Sequence, residues 1–189
     1  MVHIYGHSMP VRWGEEAEEK MIKVYSNCDE AELFVNGKSV GVKKRNSQDF
    51  PAAGLRWNVK LDKGKNDVRV VAKRGKVQVE DALSYIYQTE KWGKPAKLLI
   101  EKVKEENGVV TLQAKLLDDK NVQCLDASNW IRFGLSGDGQ LIDNQGTSSG
   151  SRYLQLYNGR AIIKVKTAGG KSVVSAKVET VPTTFIEVK

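Results

Sequence analysis

The sequence contains few of the residues that build metal centres and nucleophilic sites. Its 189 residues include two cysteines, two histidines and four prolines. Cys28 and Cys124 lie far apart, so a disulfide framework is excluded and free, buried thiols are expected. His3 and His7 both lie beside the start, and neither a CxxC pair nor an HExxH motif occurs. We therefore expect no metal ion and no cofactor.

Long apolar runs and concentrated charge are also absent. No apolar stretch reaches the roughly 18 residues that a membrane helix needs, and the N-terminus lacks a signal-peptide pattern. The net charge of +7 comes from 30 basic and 23 acidic residues that are mixed along the chain, and the densest basic run, Lys43-Lys44-Arg45, is short. We expect an ordinary globular chain that binds neither nucleic acid nor a membrane.

Apolar and polar residues alternate along many short segments, which is typical of strands with one buried face. Ala31, Leu33 and Val35 lie on one side of such a segment, and Asn36-Gly37 follows at once. An Asn-Gly pair favours a type I′ turn, and it recurs twice more. The predicted hairpins join 31–35 with 38–42 at Asn36-Gly37, 98–103 with 109–117 at Asn107-Gly108, and 153–156 with 161–167 at Asn158-Gly159.

The remaining strands complete an all-β pattern. They are predicted over 57–61, 68–72, 77–87, 130–135, 173–179 and 185–188. The helix-like stretch Glu15–Lys20 is better interpreted as an acidic loop. About twelve short strands with Gly-bearing turns indicate two immunoglobulin-like or fibronectin-like antiparallel β-sandwich domains in tandem. Gly93 and Pro95 interrupt the alternation, which predicts a linker over residues 90–95.

The carboxylates do not form a recognisable catalytic pattern. Hydrolysis of a glycoside needs two carboxylates that face each other across the bond. The acidic residues here form a local cluster or lie in predicted turns; they are Glu15, Glu16, Glu18, Glu19, Asp118, Asp119, Asp138 and Asp143. Asp in turns commonly bonds its own backbone. No GxSxG or P-loop motif occurs, so we assign no catalytic residue.

The four tryptophans are the remaining candidates for ligand contact, because a flat ring can stack on a sugar. Trp57 and Trp130 fall inside predicted strands, where a core position is favoured. Trp92 is expected at the junction of the two domains. Trp13, in the irregular opening segment, is the most open to a partner. Trp13 and Trp57 are retained as candidates for a sugar or an interdomain contact.

One segment resembles a known family. Residues 23–41, with the sequence KVYSNCDEAELFVNGKSVG, are similar to the stretch that follows the catalytic barrel in glycoside hydrolase family 2, notably in bacterial β-galactosidases. Residues 3–14 resemble the connector that leaves the barrel, although relatives carry more aromatic residues around the position of Met9. The second half is similar, more loosely, to the C-terminal immunoglobulin-like domain of these enzymes over 112–118, 129–141 and 158–165.

The resemblance implies an organisation and a function. Residues 1–14 would be a connector from a catalytic barrel outside this sequence, 15–89 the first sandwich, 90–95 the linker and 96–189 the C-terminal sandwich. The catalytic glutamates of the family belong to the barrel, and no stretch here matches their motifs. The resemblance therefore implies non-catalytic accessory domains of a β-galactosidase, with the barrel and N-terminal domains of the parent enzyme as partners.

Two other functions stay open. A carbohydrate-binding module would use exposed aromatic rings in a groove, and cell-surface adhesion domains would carry further tandem sandwiches instead of a barrel. Carbohydrate and a homo-oligomer formed through the parent are further expected partners. We expect a periplasmic or extracellular location in a bacterium, with a cytoplasmic location as the alternative.

Overall fold

The computed structural model describes residues 1–46, 53–142 and 151–189, and these ranges contain sixteen β-strands and no α-helix. The all-β class predicted from the alternation is therefore confirmed. The chain divides into two compact units, residues 1–90 and 91–189, each with its own hydrophobic core. No helix with the length and apolar character of a membrane span occurs within the described ranges.

The first unit is built from two sheets. Its strands are β1 Val2–Ile4, β2 Val11–Trp13, β3 Glu19–Ser26, β4 Glu30–Val35, β5 Lys38–Lys44, β6 Leu55–Lys60, β7 Gly64–Arg74 and β8 Val77–Gln88. One sheet has the order β1-β3-β6 and the other the order β2-β8-β7-β4-β5. The pairing is antiparallel except for β2, which runs parallel to β8, the exception to the antiparallel prediction among the described strands.

Alternation explains why these residues form the core of the first unit. Ala31, Leu33 and Val35 of β4 are buried, as predicted, while Glu32 between them stays partly exposed. Burial of about 25 cal/mol per Å² of apolar surface is the main stabilising contribution to such a core. The buried residues include Ile4, Ile22, Val24, Cys28, Trp57, Val59, Val68, Val70, Tyr85 and Tyr87.

The second unit is also a pair of sheets. Its strands are β9 Lys97–Glu106, β10 Val109–Leu117, β11 Trp130–Gly137, β12 Gln140–Ile142, β13 Tyr153–Gln155, β14 Arg160–Lys166, β15 Ser172–Val178 and β16 Val181–Val188. The four-stranded sheets have the orders β12-β14-β10-β9 and β13-β11-β15-β16, and all of these pairs are antiparallel. The buried residues include Leu112, Leu116, Cys124, Ile131, Phe133, Ile163, Val165, Val174 and Ala176.

The Asn-Gly pairs form turns, but one of them does not close a hairpin of paired strands. Asn36-Gly37 and Asn107-Gly108 have positive φ at both residues and join β4 to β5 and β9 to β10. Asn158-Gly159 also has positive φ at both residues and is closed by the Tyr157–Arg160 bridge. The flanking strands β13 and β14 then enter different sheets, so the predicted pairing of 153–156 with 161–167 is wrong.

The opening segment contributes strands to the first unit. β1 pairs with β3 and β2 with β8. Of the stretch 15–20 that was interpreted as a loop, residues 15–18 lie outside any strand or helix, whereas Glu19 and Lys20 begin β3. Within this loop the Glu15 amide donates to the Glu18 carboxylate. The assignment of residues 1–14 as a connector from a barrel, and of 90–95 as a linker, remains a prediction.

Candidate functional site

Trp57 lies in the core of the first unit. Its side chain on β6 is 3% exposed, and its indole N–H donates to the Gly41 carbonyl at 3.0 Å. Leu55 and Val59, two positions away on either side, point the same way. A sugar ring could not stack on Trp57 unless the core opened. The structure thus removes Trp57 as a sugar-stacking candidate and gives it the packing role that its strand position favoured.

Trp13 is 37% exposed at the end of β2, a short strand at the edge of its sheet. The segment before it is held by Arg12, whose guanidinium stacks 4.5 Å from the centre of the Tyr85 ring and donates to the Tyr85 hydroxyl. That hydroxyl in turn donates to the carbonyl of Tyr5. Trp13 therefore sits on an anchored backbone, but no concave surface described for the first unit includes it.

Trp130 lies on the surface, although a core position was predicted for it. It is 51% exposed, because its neighbours Ile131 and Phe133 on β11 are buried and the strand alternates. Trp92 packs against the core of the second unit, and its indole N–H donates to Asp126 at 2.6 Å. The core position expected for Trp130 is thus wrong, and the signal that indicated an outward position was its place next to Ile131, one residue out of phase with the buried side of β11.

A groove surrounds Trp130 on the outer face of the β13-β11-β15 strands. It encloses about 400 Å³, and we call it the Trp130 groove. The residues whose side chains matter for its chemistry are Trp130, Arg132, Tyr153, Lys177, Glu179 and Thr180. Strand register brings three of them into one row, since Arg132 lies opposite Tyr153 on one side and opposite Lys177 on the other.

The floor of the Trp130 groove is aromatic. The rings of Trp130 and Tyr153 stack with their centres 4.9 Å apart and their planes at 24°. The Arg132 guanidinium lies 4.6 Å from the centre of the Tyr153 ring. Tyr153 is 50% exposed, so both rings of the pair reach solvent. At the rim, Asn129 donates to the Thr180 hydroxyl at 3.5 Å.

A second cluster joins His3 and His7 to Asp81, and sequence analysis did not find it. The imidazole rings stack with centres 5.0 Å apart, and the Asp81 Oδ2 lies 2.9 Å from His7 Nε2 and 3.6 Å from His3 Nδ1. The same oxygen accepts the Ile4 amide at 2.7 Å. Asp81 lies 74 residues beyond His7, so only the pairing of distant strands reveals the contact.

This cluster holds the opening segment to β8. Burial raises the pKa of Asp81, but hydrogen bonds from the Ile4 amide and His7, with a further one from the Ala82 amide, outweigh burial and lower it. One nitrogen from each imidazole and one carboxylate oxygen lie within 4.8 Å of one another, and these are donor types that transition metals use. The 2.9 Å contact is a hydrogen-bond distance. The expectation of no metal stays a prediction.

The other titratable groups that the sequence singled out have local roles. Asp118 is buried and accepts the Gly93, Lys120 and Val122 amides, and the Gly93 bond is the largest cause that lowers the pKa of this carboxyl. Burial raises the pKa of the Cys124 thiol to about 11, so it is not a thiolate near neutral pH. Cys28 and Cys124 are free and buried, which confirms the expectation. Asp143 lies outside the described residues.

The grooves described in the structure each hold at most one carboxylate. The Trp130 groove contains Glu179, and a shallower groove on β4, β7 and β8 contains Asp67. A third, beside β5 and β6, has none among its lining residues. Glycoside hydrolysis requires a facing pair of carboxylates. None of these three described grooves presents such a pair among its lining residues.

Comparison with known proteins identifies a family model and several solved structures that are similar to this chain. Residues 17–79 match a family model described as a domain of unknown function, DUF4982. The crystal structure of Parabacteroides merdae β-glucuronidase is 51% identical with a TM-score of 0.91, and that of Bacteroides uniformis β-glucuronidase 3 is 49% identical with a TM-score of 0.92. Each match covers 100% of this chain and 24% of the other.

A curated relative carries a different activity in its name. The β-galactosidase BoGH2A of Bacteroides ovatus is 29% identical over 196 residues, which cover 95% of this chain and 21% of that protein. This chain spans about a fifth of the length of the curated relatives that it matches. It belongs with the β-sandwich segments of large glycosidases. The family is glycoside hydrolase family 2, and the chain corresponds to its C-terminal domains, as the resemblance of residues 23–41 indicated.

Proposed function

We propose that this chain is the non-catalytic C-terminal part of a family 2 glycosidase that cleaves β-glucuronides. The observation that carries the proposal is the match of 51% identity over the whole chain to a β-glucuronidase, at a TM-score of 0.91. The β-galactosidase expected from the sequence is the second candidate, supported by the 29% match to BoGH2A.

The role within the parent enzyme is mechanical in this proposal. Two independent cores of buried aliphatic and aromatic side chains make each unit stable as a packed body. The described grooves offer single carboxylates rather than a facing pair. The parent's barrel and N-terminal domains would supply the reaction, and these sandwiches would brace them, with any oligomer formed through the parent.

The test uses this 189-residue chain and the longer polypeptide that contains it under this proposal. Both are assayed with 4-nitrophenyl β-glucuronide and 4-nitrophenyl β-galactoside. We expect no hydrolysis by this chain alone and hydrolysis of the glucuronide by the longer polypeptide. Turnover by the short chain would refute the non-catalytic role. Turnover of the galactoside alone by the long polypeptide would refute the glucuronidase assignment and leave the bracing role intact.

A pair of variants tests the bracing. In the longer polypeptide, Trp57→Ala removes a buried ring, whereas Trp130→Ala removes an exposed one. If the sandwiches brace the enzyme, Trp57→Ala lowers the temperature at which hydrolysis is lost, and Trp130→Ala lowers it much less. Equal thermal inactivation of the two variants and the parent would contradict bracing.

A further inference from the structure

The Trp130 groove combines an exposed aromatic pair with two cations, Arg132 and Lys177. Among residues 1–46, 53–142 and 151–189, neither Arg132 nor Lys177 has a carboxylate within ion-pair distance. Some lysines elsewhere do have such partners, for example Lys171 with Glu187 on the same sheet. The groove thus places two cations without an ion-pair partner among the described residues beside a stacked pair of aromatic rings.

The aromatic surface sets the class of ligand. Trp130 and Tyr153 expose half of their side-chain surface where the alternation of β11 and β13 could equally have carried polar residues. Exposed tryptophan and tyrosine rings supply a flat apolar surface with a polar edge, which suits the C–H face of a pyranose. A groove of about 400 Å³ has the size of a small-molecule site.

The charged side chains of the groove restrict the class of ligand further. Arg132 lies between Tyr153 and Lys177 in one cross-strand row, so its guanidinium and the Lys177 ammonium approach the same part of the groove. A guanidinium stacked on a ring keeps its in-plane N–H donors available, and a planar guanidinium binds a carboxylate with two parallel hydrogen bonds. Two cations against the single carboxylate of Glu179 favour an anionic ligand.

We propose that the Trp130 groove binds a uronic-acid residue of an acidic glycan. The sugar ring stacks on the face of Trp130 that Tyr153 does not cover, Arg132 and Lys177 bind the uronate carboxylate, and the Thr180 and Asn129 side chains bind hydroxyl groups. The proposal concerns a binding site within residues 91–189 and does not depend on which bond the parent enzyme cleaves.

The test measures binding by the 189-residue chain with three probes of similar length. They are a hyaluronan hexasaccharide, in which glucuronate alternates with N-acetylglucosamine, a neutral chitin hexasaccharide, and a short inorganic polyphosphate. Calorimetry gives affinity, and amide chemical shifts of residues 129–132 and 177–180 locate the contact. We expect a dissociation constant of about 0.1 to 1 mM for hyaluronan, at least about tenfold weaker binding of chitin, and shifts at the groove.

Four variants separate the contributions. Trp130→Ala and Arg132→Gln should each weaken hyaluronan binding about tenfold, and Lys177→Gln should weaken it about threefold. Phe185→Ala, which deletes a 64% exposed ring on the same sheet but outside the groove, should leave the affinity unchanged. The unfolding temperature of each variant is measured as a control. We expect all four variants to be folded, because these side chains lie on the surface.

Each other outcome overturns the proposal. Absence of hyaluronan binding at about 5 mM, or equal binding of chitin, rules out uronate recognition. Equal binding of polyphosphate with no effect of Trp130→Ala identifies a plain polyanion surface. Binding that survives Trp130→Ala and Arg132→Gln, or shifts confined to other residues, places the ligand outside this groove.

Discussion

Trp57 and Trp130 are the same residue type in similar short strands, yet one is a core residue and the other lies on the surface. Trp57 on β6 is in phase with Leu55 and Val59, which point towards the first core. Trp130 on β11 is out of phase with Ile131 and Phe133, which fill the second core. Position in the alternation, rather than the hydrophobicity of the residue, decides which side of a sheet a tryptophan occupies.

The largest effect that tests this comparison is the loss of the buried ring. Trp57→Ala should reduce the free energy of unfolding of the first unit by about 3–5 kcal/mol, because the ring leaves a cavity and the Gly41 carbonyl loses its donor. Trp130→Ala should cost about 1 kcal/mol or less. Urea unfolding of the 189-residue chain, followed by circular dichroism, measures both. Equal losses would show that alternation does not separate the two positions.

The same contrast should hold between adjacent residues of one strand. Phe133 is 1% exposed and Arg132 faces the groove. Phe133→Ala should cost about 3–4 kcal/mol of unfolding free energy in the second unit. Arg132→Ala should cost less than about 1 kcal/mol, since it loses only an exposed cation-π contact. A larger loss from Arg132→Ala, measured by the same urea unfolding, would contradict the assignment of faces.

A smaller effect concerns the aspartate that ties the opening segment to the first unit. Asp81→Asn keeps the shape but removes the charge, and should cost about 1 kcal/mol near neutral pH. Because the folded pKa of Asp81 is lowered, its stabilisation is present above the unfolded value of about 3.9 and is lost as the pH falls through the folded value. The stability of the variant, measured by urea unfolding, should therefore fall less steeply than the parent's below about pH 4.

The control for this measurement is Asp67→Asn. Asp67 lies on neighbouring β7 and accepts a hydrogen bond from Ser84, the first cause that lowers its pKa, with Lys65 next. It does not touch the opening segment. The stability of the two variants could fall equally with pH, and the Ile4 amide could exchange with solvent equally fast in both. That result would show that Asp81 does not hold the opening segment to the first unit.

The smallest effect is spectroscopic. Trp130→Phe should remove the emission that acrylamide quenches most readily, because half of that side chain is exposed. Trp57→Phe should remove protected emission and leave the remaining tryptophans, on average, more readily quenched. Stern–Volmer slopes for the two variants should therefore move in opposite directions from the parent. Slopes that move in the same direction would mean that the two rings share one environment.

Much of the fold could be predicted from local sequence, because its signals are local. Alternation located the strands, and the Asn36-Gly37 and Asn107-Gly108 turns closed the hairpins expected of them. The turn at Asn158-Gly159 was also predicted correctly. The sheet that each flanking strand joins was not, because β13 and β14 lie in different sheets, and this depends on how the two sheets pack around the core. Turn residues fix the reversal of the backbone and carry no information about that choice.

The candidate site was less predictable. The outward position of Trp130 follows from the buried Ile131 and Phe133 and could have been predicted from alternation alone. Its meeting with Tyr153 and Lys177 depends on the pairing of β11 with β13 and β15, which no local motif encodes. The contact of His7 with Asp81 spans 74 residues and was missed for the same reason.

The alternation of β11 also limits how this surface can change. Ile131 and Phe133 on one side and Trp130 and Arg132 on the other belong to a single stretch of backbone. Inserting or deleting one residue there would put the residues before the change out of phase with those after it, so that a core residue on one side would turn towards water unless a bulge absorbed the change. Substitution at every second position alters the outer face without this disturbance of the core.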